Sequence, residues 1–298
     1  MTGNFRGVLW ALGSVFFMTG MGLVIKHLGA LGVPLAMIVF FRQALVLLIS
    51  LPWFVRMGTG VFRVHRPGLH ILRSLFSVIA FCALAFALDR LILADAVALT
   101  FSTPLWSIVG SVILLGEAVR VRRWTATVIG FIGVLCIVRP EGQFEWAMLA
   151  AISSAFFGSL SKIILKKLTA TNSIGQVIVN FSLIGTILTV GPCLYFWQNL
   201  DFVQAAWLGA MGGFAFFGQI CIAKAYSHGD VTVVGPMDFL RMPLAVILGI
   251  ALFAEIPDMW TVTGMVIIGL SSTYIARRQA ILKAPICDHT SGVRNEER

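Results

Sequence analysis

The stretch AVALTFSTPLWSIVGSVILLGE, residues 96–117, decides the fold. It is apolar almost throughout, and its one charge is the glutamate that ends it. A helix needs about 20 such residues to cross roughly 30 Å of hydrocarbon. The stretch is too long for a transmembrane strand and does not alternate with period two. Nine further segments read the same way. The ten predicted spans are 8–28, 35–55, 69–88, 94–115, 124–138, 146–164, 174–196, 205–222, 231–253 and 259–276.

The composition agrees. Of 298 residues, 58% are hydrophobic and 12% charged, against about a quarter charged in soluble domains. The mean hydropathy of +0.93 leaves too little polar surface for a water-soluble particle of this size. A cytosolic enzyme, a secreted disulfide scaffold and a disordered chain are thereby excluded. The first span follows Arg6 and is longer than a signal-peptide core, with no small-residue cleavage site after it. It is read as a retained helix. Cys82, Cys136, Cys193, Cys221 and Cys287 are scattered, form no CxxC pair and have no histidine at ligand spacing. They read as small buried hydrophobes, so no metal and no other cofactor is expected.

The net charge of +9 suggests nucleic acid at first sight. Ten helices put both termini on one side. Seventeen of the 22 Lys and Arg then fall on that side, among them Arg63, Arg66, Arg73 and Arg120. Three, Lys26, Arg90 and Arg139, fall on the other, and Arg42 and Arg241 lie within spans. That asymmetry is the positive-inside rule. It places both termini in the cytoplasm and removes the nucleic-acid reading.

A shift of 138 residues lays one half of the chain on the other. Ala87 falls on Ala225, Phe101 on Phe239, Glu117 on Glu255, Arg139 on Arg277 and Gly20 on Gly158. The opening stretch corresponds to VVGPMDFLRMPLAVILGIALFAE, residues 233–255. Each carries a proline at mid-span, Pro104 and Pro243, and each ends in a glutamate. Five helices per copy is an odd number, so the second copy enters the membrane from the opposite side. The expected organisation is residues 1–141 and 142–280 as two inverted five-helix repeats, with 281–298 as a polar cytoplasmic tail. Secondary transporters use this plan, with a solute site near the midplane between the halves.

The A-x-x-L…P…G-E pattern of the fourth span and its echo in the ninth resemble the drug/metabolite transporter superfamily, EamA type. The resemblance covers nearly the whole chain. In the second copy Ala254-Glu255 stands where the family has Gly-Glu. It implies a multi-pass carrier in the bacterial inner membrane for small organic solutes, often amino acids or other metabolites.

Charges at membrane depth cost about 2.5–3.5 kcal/mol each on insertion scales. Three are placed there: Arg42, Asp238 and Arg241. Asp238 and Arg241 share a helix face and either neutralise each other or line a wet cavity. Shifted by 138, they fall on Thr100 and Thr103, which with Ser107 and Ser111 form a polar stripe on the fourth span. Arg42 has no acid on its own helix. Its guanidinium is a candidate for a carboxylate or phosphate of the solute; snorkelling is the alternative. Gln43, Gln219 and Asn180 are polar candidates for the same cavity or for helix contacts. Phe101, Trp106 and Phe239 are candidates for stacking on a planar cargo. Pro104 and Pro243 are candidate kinks, and Glu117 and Glu255 candidate gates or simple helix-end charges. Gly130, Gly133, Gly209, Gly212, Gly213, Gly264 and Gly269 read as close-packing positions.

The expected function is secondary transport of an anionic or zwitterionic, amino-acid-like metabolite by alternating access. No GxxxxGK[ST] motif is present to bind ATP. A proton, carried by Asp238, or a counter-solute is the candidate coupling partner, and monomer and homodimer both stay open. The alternatives are a non-transporting membrane subunit and an intramembrane lipid-modifying enzyme. The five histidines, His27, His65, His70, His228 and His289, form no HExxH-like array that would support the enzyme.

Overall fold

The computed structural model describes residues 2–115, 121–138, 145–169, 171–228, 237 and 240–283. Among them the chain is helical between short connections and contains no strand. The helices are α1 (Thr2–Ala30), α2 (Leu35–Ile49), α3 (Leu51–Met57), α4 (Pro67–Arg90), α5 (Leu93–Thr100), α6 (Thr103–Leu115), α7 (Val121–Val138), α8 (Trp146–Thr169), α9 (Ile174–Tyr195), α10 (Phe202–His228), α11 (Arg241–Phe253) and α12 (Met259–Lys283). Six stretches are long and apolar enough to cross a membrane: Phe5–Ala30, Pro67–Arg90, Leu93–Gly110, Trp146–Leu165, Ile174–Tyr195 and Phe202–Ile222. Shorter apolar helices cover Leu35–Ile49, Trp124–Val138 and Arg241–Phe253. This is a multi-pass membrane protein.

Helix ends are written into the sequence. Ser173 and Gln176 form a capping box at the start of α9, the Ser173 hydroxyl accepting from the Gln176 N–H. Asp201 and Gln204 bond reciprocally at the start of α10. Asp258 accepts the Thr261 N–H as α12 begins. These caps satisfy backbone donors where the chain leaves the hydrocarbon.

Two predicted spans are not continuous. The second divides at Ser50, where Pro52 sits in the first turn of α3, which proline tolerates. The fourth divides at Phe101-Ser102, between α5 and α6. The prolines read as mid-helix kinks therefore occupy first turns: Pro104 is the second residue of α6 and Pro243 the third of α11. No intrahelical donor is lost there, so each proline starts a half-helix rather than bending a whole one.

Helix α1 lies against α10 and α4 against α8, while α7 packs on α12 and α2 on α9. Some element limits recur 138 residues apart. Both α6 and α11 have 13 residues and begin at Thr103 and Arg241. Helices α7 and α12 begin at Val121 and Met259, and α4 and α10 end at Arg90 and His228. The outer faces stay apolar, with Ile129, Ile132, Leu135, Ile187, Ile247 and Leu270 half or more exposed. In a membrane protein that surface faces lipid.

The glycines divide by role. Gly133 and Gly264 mark the crossing of α7 and α12: a Cβ on Gly264 would lie 2.6 Å from the Gly133 carbonyl oxygen. Gly130 fits under Leu105 and Gly212 under Leu45. Gly209, Gly213 and Gly269 have open space where a Cβ would sit, so close packing does not explain them. Gly264→Val is expected to force α7 and α12 apart and cost about 1–3 kcal/mol. Gly269→Ala is expected to stay within about 0.5 kcal/mol of the parent. Thermal unfolding of the detergent-purified protein measures both.

Candidate functional site

Three arrangements bear on function, and the first is the break between α5 and α6. Thr100, Ser102 and Thr103 turn their hydroxyls onto the carbonyls of Val97, Leu99 and Thr100 at 2.6 Å each. Ser107 bonds Thr103 O at 2.9 Å. The Val97 and Leu99 carbonyls also accept from the Phe101 and Ser102 N–H groups, so these hydroxyls add second donors there, and the Thr103 hydroxyl supplies one to Thr100 O at the break. The continuous polar stripe predicted for the fourth span is therefore not present as drawn. Thr100 belongs to α5 and Thr103 opens α6, and their hydroxyls are engaged at the break. Phe101 is buried at the same point. Trp106 packs edge-on against Phe131 and Phe156.

The second arrangement is an ion pair at one end of the bundle. Lys26 of α1 pairs with Glu255, which follows α11. The Lys26 ammonium also donates to Leu91 O at 2.7 Å, and the Leu93 N–H donates to the other Glu255 oxygen at 2.8 Å. Glu255 thus caps α5, where a carboxylate also favours the helix dipole. It reaches that position because Ala254 adopts the left-handed conformation, φ +54°. Glycine enters that region without steric cost. The Gly-Glu pattern noted above has this physical use, and Ala254 meets the same need at a cost. Beside the pair, Thr261 of α12 donates to Asp95 of α5 at 2.6 Å. Glu255 is thus a partly buried tie between elements far apart in sequence rather than a water-facing helix-end charge.

The third arrangement is a basic cluster where α2, α4, α8 and α9 meet. Arg42 and Gln43 sit midway along α2, 6% and 1% exposed. Arg42 Nη1 donates to Gln43 Oε1 at 3.0 Å, and its guanidinium lies 4.2 Å from the Phe81 ring centre. This is burial and cation–π stacking, not snorkelling. Arg73 of α4 is 5% exposed; its Nη1 donates to Val177 O at 3.3 Å and it lies 4.6 Å from the Phe181 ring centre. The two arginines lie on helices that pack against each other. Ser161 of α8 donates to Arg73 O at 3.2 Å and shares a 2.6 Å bond with Ser77. His70 and Ser74, on the same helix as Arg73, are buried.

Arg73 is the residue that the loop count misplaced. It lies within the apolar run 69–88, and the signal was its position there. Asn180 makes helix contacts, donating to Val61 O at 2.9 Å and Gln176 O at 2.8 Å. Arg241 is half-buried at the first position of α11, Gln219 half-buried on α10, and Pro243 exposed. Arg42 and Gln43 are brought together. Helix α2 packs on α9, α10 and α4, whereas α11, which carries Arg241, packs on α5 and α1. Asp238, Phe239 and Glu117 lie outside the described residues.

Residues 5–139 match the EamA-like transporter family. Over that stretch the chain resembles the EamA type of the drug/metabolite transporter superfamily. Over its length it is 29% identical to a riboflavin transporter of Vibrio cholerae, covering 91% of this chain and 93% of that one. It is 26% identical to an S-adenosylmethionine uptake transporter of Rickettsia prowazekii (91% and 92%). It is 27% identical to a pseudopaline exporter of Pseudomonas aeruginosa (91% and 96%). A crystal structure at 18% identity shares the fold, with a TM-score of 0.63 over 94% of this chain and 99% of that chain. Family and relatives point to a transporter rather than an enzyme.

The Lys26–Glu255 tie makes a quantitative prediction. Glu255→Ala leaves a half-buried ammonium unpaired and α5 uncapped, and is expected to cost about 1–3 kcal/mol. In a double-mutant cycle with Lys26→Met the two changes are expected to be non-additive by at least about 0.5 kcal/mol. Ala254→Gly is expected to stabilise by about 0.5–1 kcal/mol by relieving the left-handed strain. Chemical or thermal unfolding in detergent reads all of these.

Proposed function

We propose that this chain is a secondary carrier that moves a small, anionic or zwitterionic metabolite across the bacterial inner membrane by alternating access. The observation that carries the reading is Arg42, a buried cation at mid-depth of α2, beside Gln43 and against helices from the other half of the chain. A charge held there at several kcal/mol is a solute-site marker in membrane proteins. The relatives named for riboflavin, S-adenosylmethionine and pseudopaline support transport of a small metabolite. They include an uptake system and an exporter, so the class is supported and the cargo is not fixed.

Residues 1–141 and 142–280 form the two halves of an inverted repeat in this reading, ten spans in all, with both termini and the tail 281–298 in the cytoplasm. The 138-residue spacing of helix limits supports it. So does the packing: exchanging the halves maps the α1–α10 contact onto α8–α4, and α2–α9 and α7–α12 onto themselves. The half-helices starting at Thr103 and Arg241 are equivalent members, placed where such carriers build solute sites. Thr100, Thr103 and Phe101 contribute to that site from the fourth span, Asp238, Phe239 and Arg241 from the ninth, Gln219 from the eighth, and Arg42 and Gln43 from the second. Pro104 and Pro243 set the half-helices, and Glu117 and Glu255 act as gates at opposite ends. Asp238 is the proton carrier if flux is proton-coupled.

The test starts with a comparison of intracellular and extracellular metabolites with and without the protein. Uptake of the solute so found into proteoliposomes then follows. Arg42→Gln is expected to lower its flux at least tenfold while the protein still inserts and folds. Unchanged flux would falsify the role of Arg42. For Asp238, flux in wild type is expected to vary with pH and to lose that dependence in Asp238→Asn; identical pH profiles remove the proton role.

A further inference from the structure

We propose that Arg42 and Arg73, together with His70 and Ser74, form one buried subsite for a compact oxyanion of the solute, a phosphate or a pair of carboxylates. The proposal rests on the carrier reading above and deepens it by naming the ligand chemistry.

Two observations carry it. The first is an excess of unused donors. Arg42 Nε, Gln43 Nε2, Arg73 Nε, Ser74 Oγ and both ring nitrogens of His70 are buried without a hydrogen-bond partner. Buried polar atoms are paired in the large majority of cases, so six on two packed helices call for a partner. The guanidiniums lie over Phe81 and Phe181, which leaves their edge donors for an oxyanion. Guanidinium edges match carboxylate and phosphate oxygens in fork geometry.

The second observation is the distribution of charge. Two guanidiniums are buried on packed helices, and no carboxylate bonds to either among the described residues. Among the described residues Asp95 and Glu255 are tied up around the Lys26 end, and Asp201 and Asp258 cap helices α10 and α12. A buried like-charge pair without a counter-ion is stabilised by an anion brought from outside. The two arginines sit on α2 and α4, and Val177 O and Ser161 from α9 and α8 hold Arg73. A dianion between them would bridge α2 and α4 of the first half, beside α8 and α9 of the second. A single carboxylate would satisfy only one guanidinium, so dianions are favoured over monocarboxylates.

The experiment is a titration of the detergent-purified full chain, in chloride-free buffer, with inorganic phosphate, succinate, acetate and phosphatidylglycerol, followed by thermal shift. Saturable stabilisation by phosphate or succinate is expected, with at least tenfold weaker half-saturation by acetate. Arg73→Gln and Arg42→Gln are each expected to weaken it at least tenfold, and Arg73→Lys to restore part of it. Arg63→Gln, on the exposed approach to α4, serves as the control and is expected to leave it unchanged. Absence of saturable stabilisation by both dianions in the wild type overturns the proposal even if a variant fails to fold. Equal stabilisation of wild type and Arg73→Gln overturns it too. Stabilisation by phosphatidylglycerol alone overturns it in favour of a lipid headgroup. Failure of proteoliposome uptake with intact dianion binding would instead count against the carrier reading, so the two are read separately.

Discussion

An apolar surround gives a backbone no water to bond, and most of what is distinctive in this chain follows from that constraint. Long helices meet it by themselves. A broken helix does not, and the chain breaks the fourth span at Phe101-Ser102. Three hydroxyls then close on the carbonyls just before the break. Polar residues in this stretch thus serve the backbone first. What they leave for a solute is the irregular main chain itself, a common building material of carrier sites. The glutamate after α11 serves the same constraint at the bundle's end, where the Leu93 N–H would otherwise begin α5 uncapped.

The same constraint makes a buried charge informative. Lys26 and Glu255 are both charged and partly buried, yet each is satisfied: the ammonium has a carboxylate and a carbonyl, the carboxylate an ammonium and an amide. That group acts as a tie, and it binds α1, α5 and the end of α11 together. Arg42 and Arg73 are more deeply buried and less satisfied. Two sites with similar residue types therefore differ in kind. One is complete as it stands and ties α1, α5 and the end of α11 together. The other is incomplete and is poised for a partner.

Much of the architecture was legible in the sequence because hydropathy and charge act over whole spans. The apolar runs located the long helices, and the opening stretch marked a special element. What hydropathy cannot see is continuity of the backbone. Pro104 and Pro243 looked like kinks within helices, since their run of apolar neighbours is unbroken. The structure puts each in a first turn, where a missing N–H costs nothing. Arg73 was lost for a related reason: counted with the loop before it, a charge near the start of an apolar run reads as a flank. The partner of Glu255 was not legible at all. Lys26 is more than 200 residues away, and no local pattern links them.

Arg42 was legible as a charge out of place, but not as one of a pair, and the pair changes what the site can bind. Alone, a buried guanidinium suits any carboxylate, amino-acid-like solutes included. Two buried guanidiniums on packed helices suit a ligand with twice the charge. The residues 138 positions on from Arg42 and Arg73 are Asn180 and Met211, neither of them charged. A two-fold relation between the halves, if it sets the bundle, does not set this cluster. Alternating access draws on what the halves share, whereas selectivity draws on what they do not. The charge of the solute is therefore to be sought in the residues that break the repeat, and Arg42 and Arg73 are two buried arginines among them.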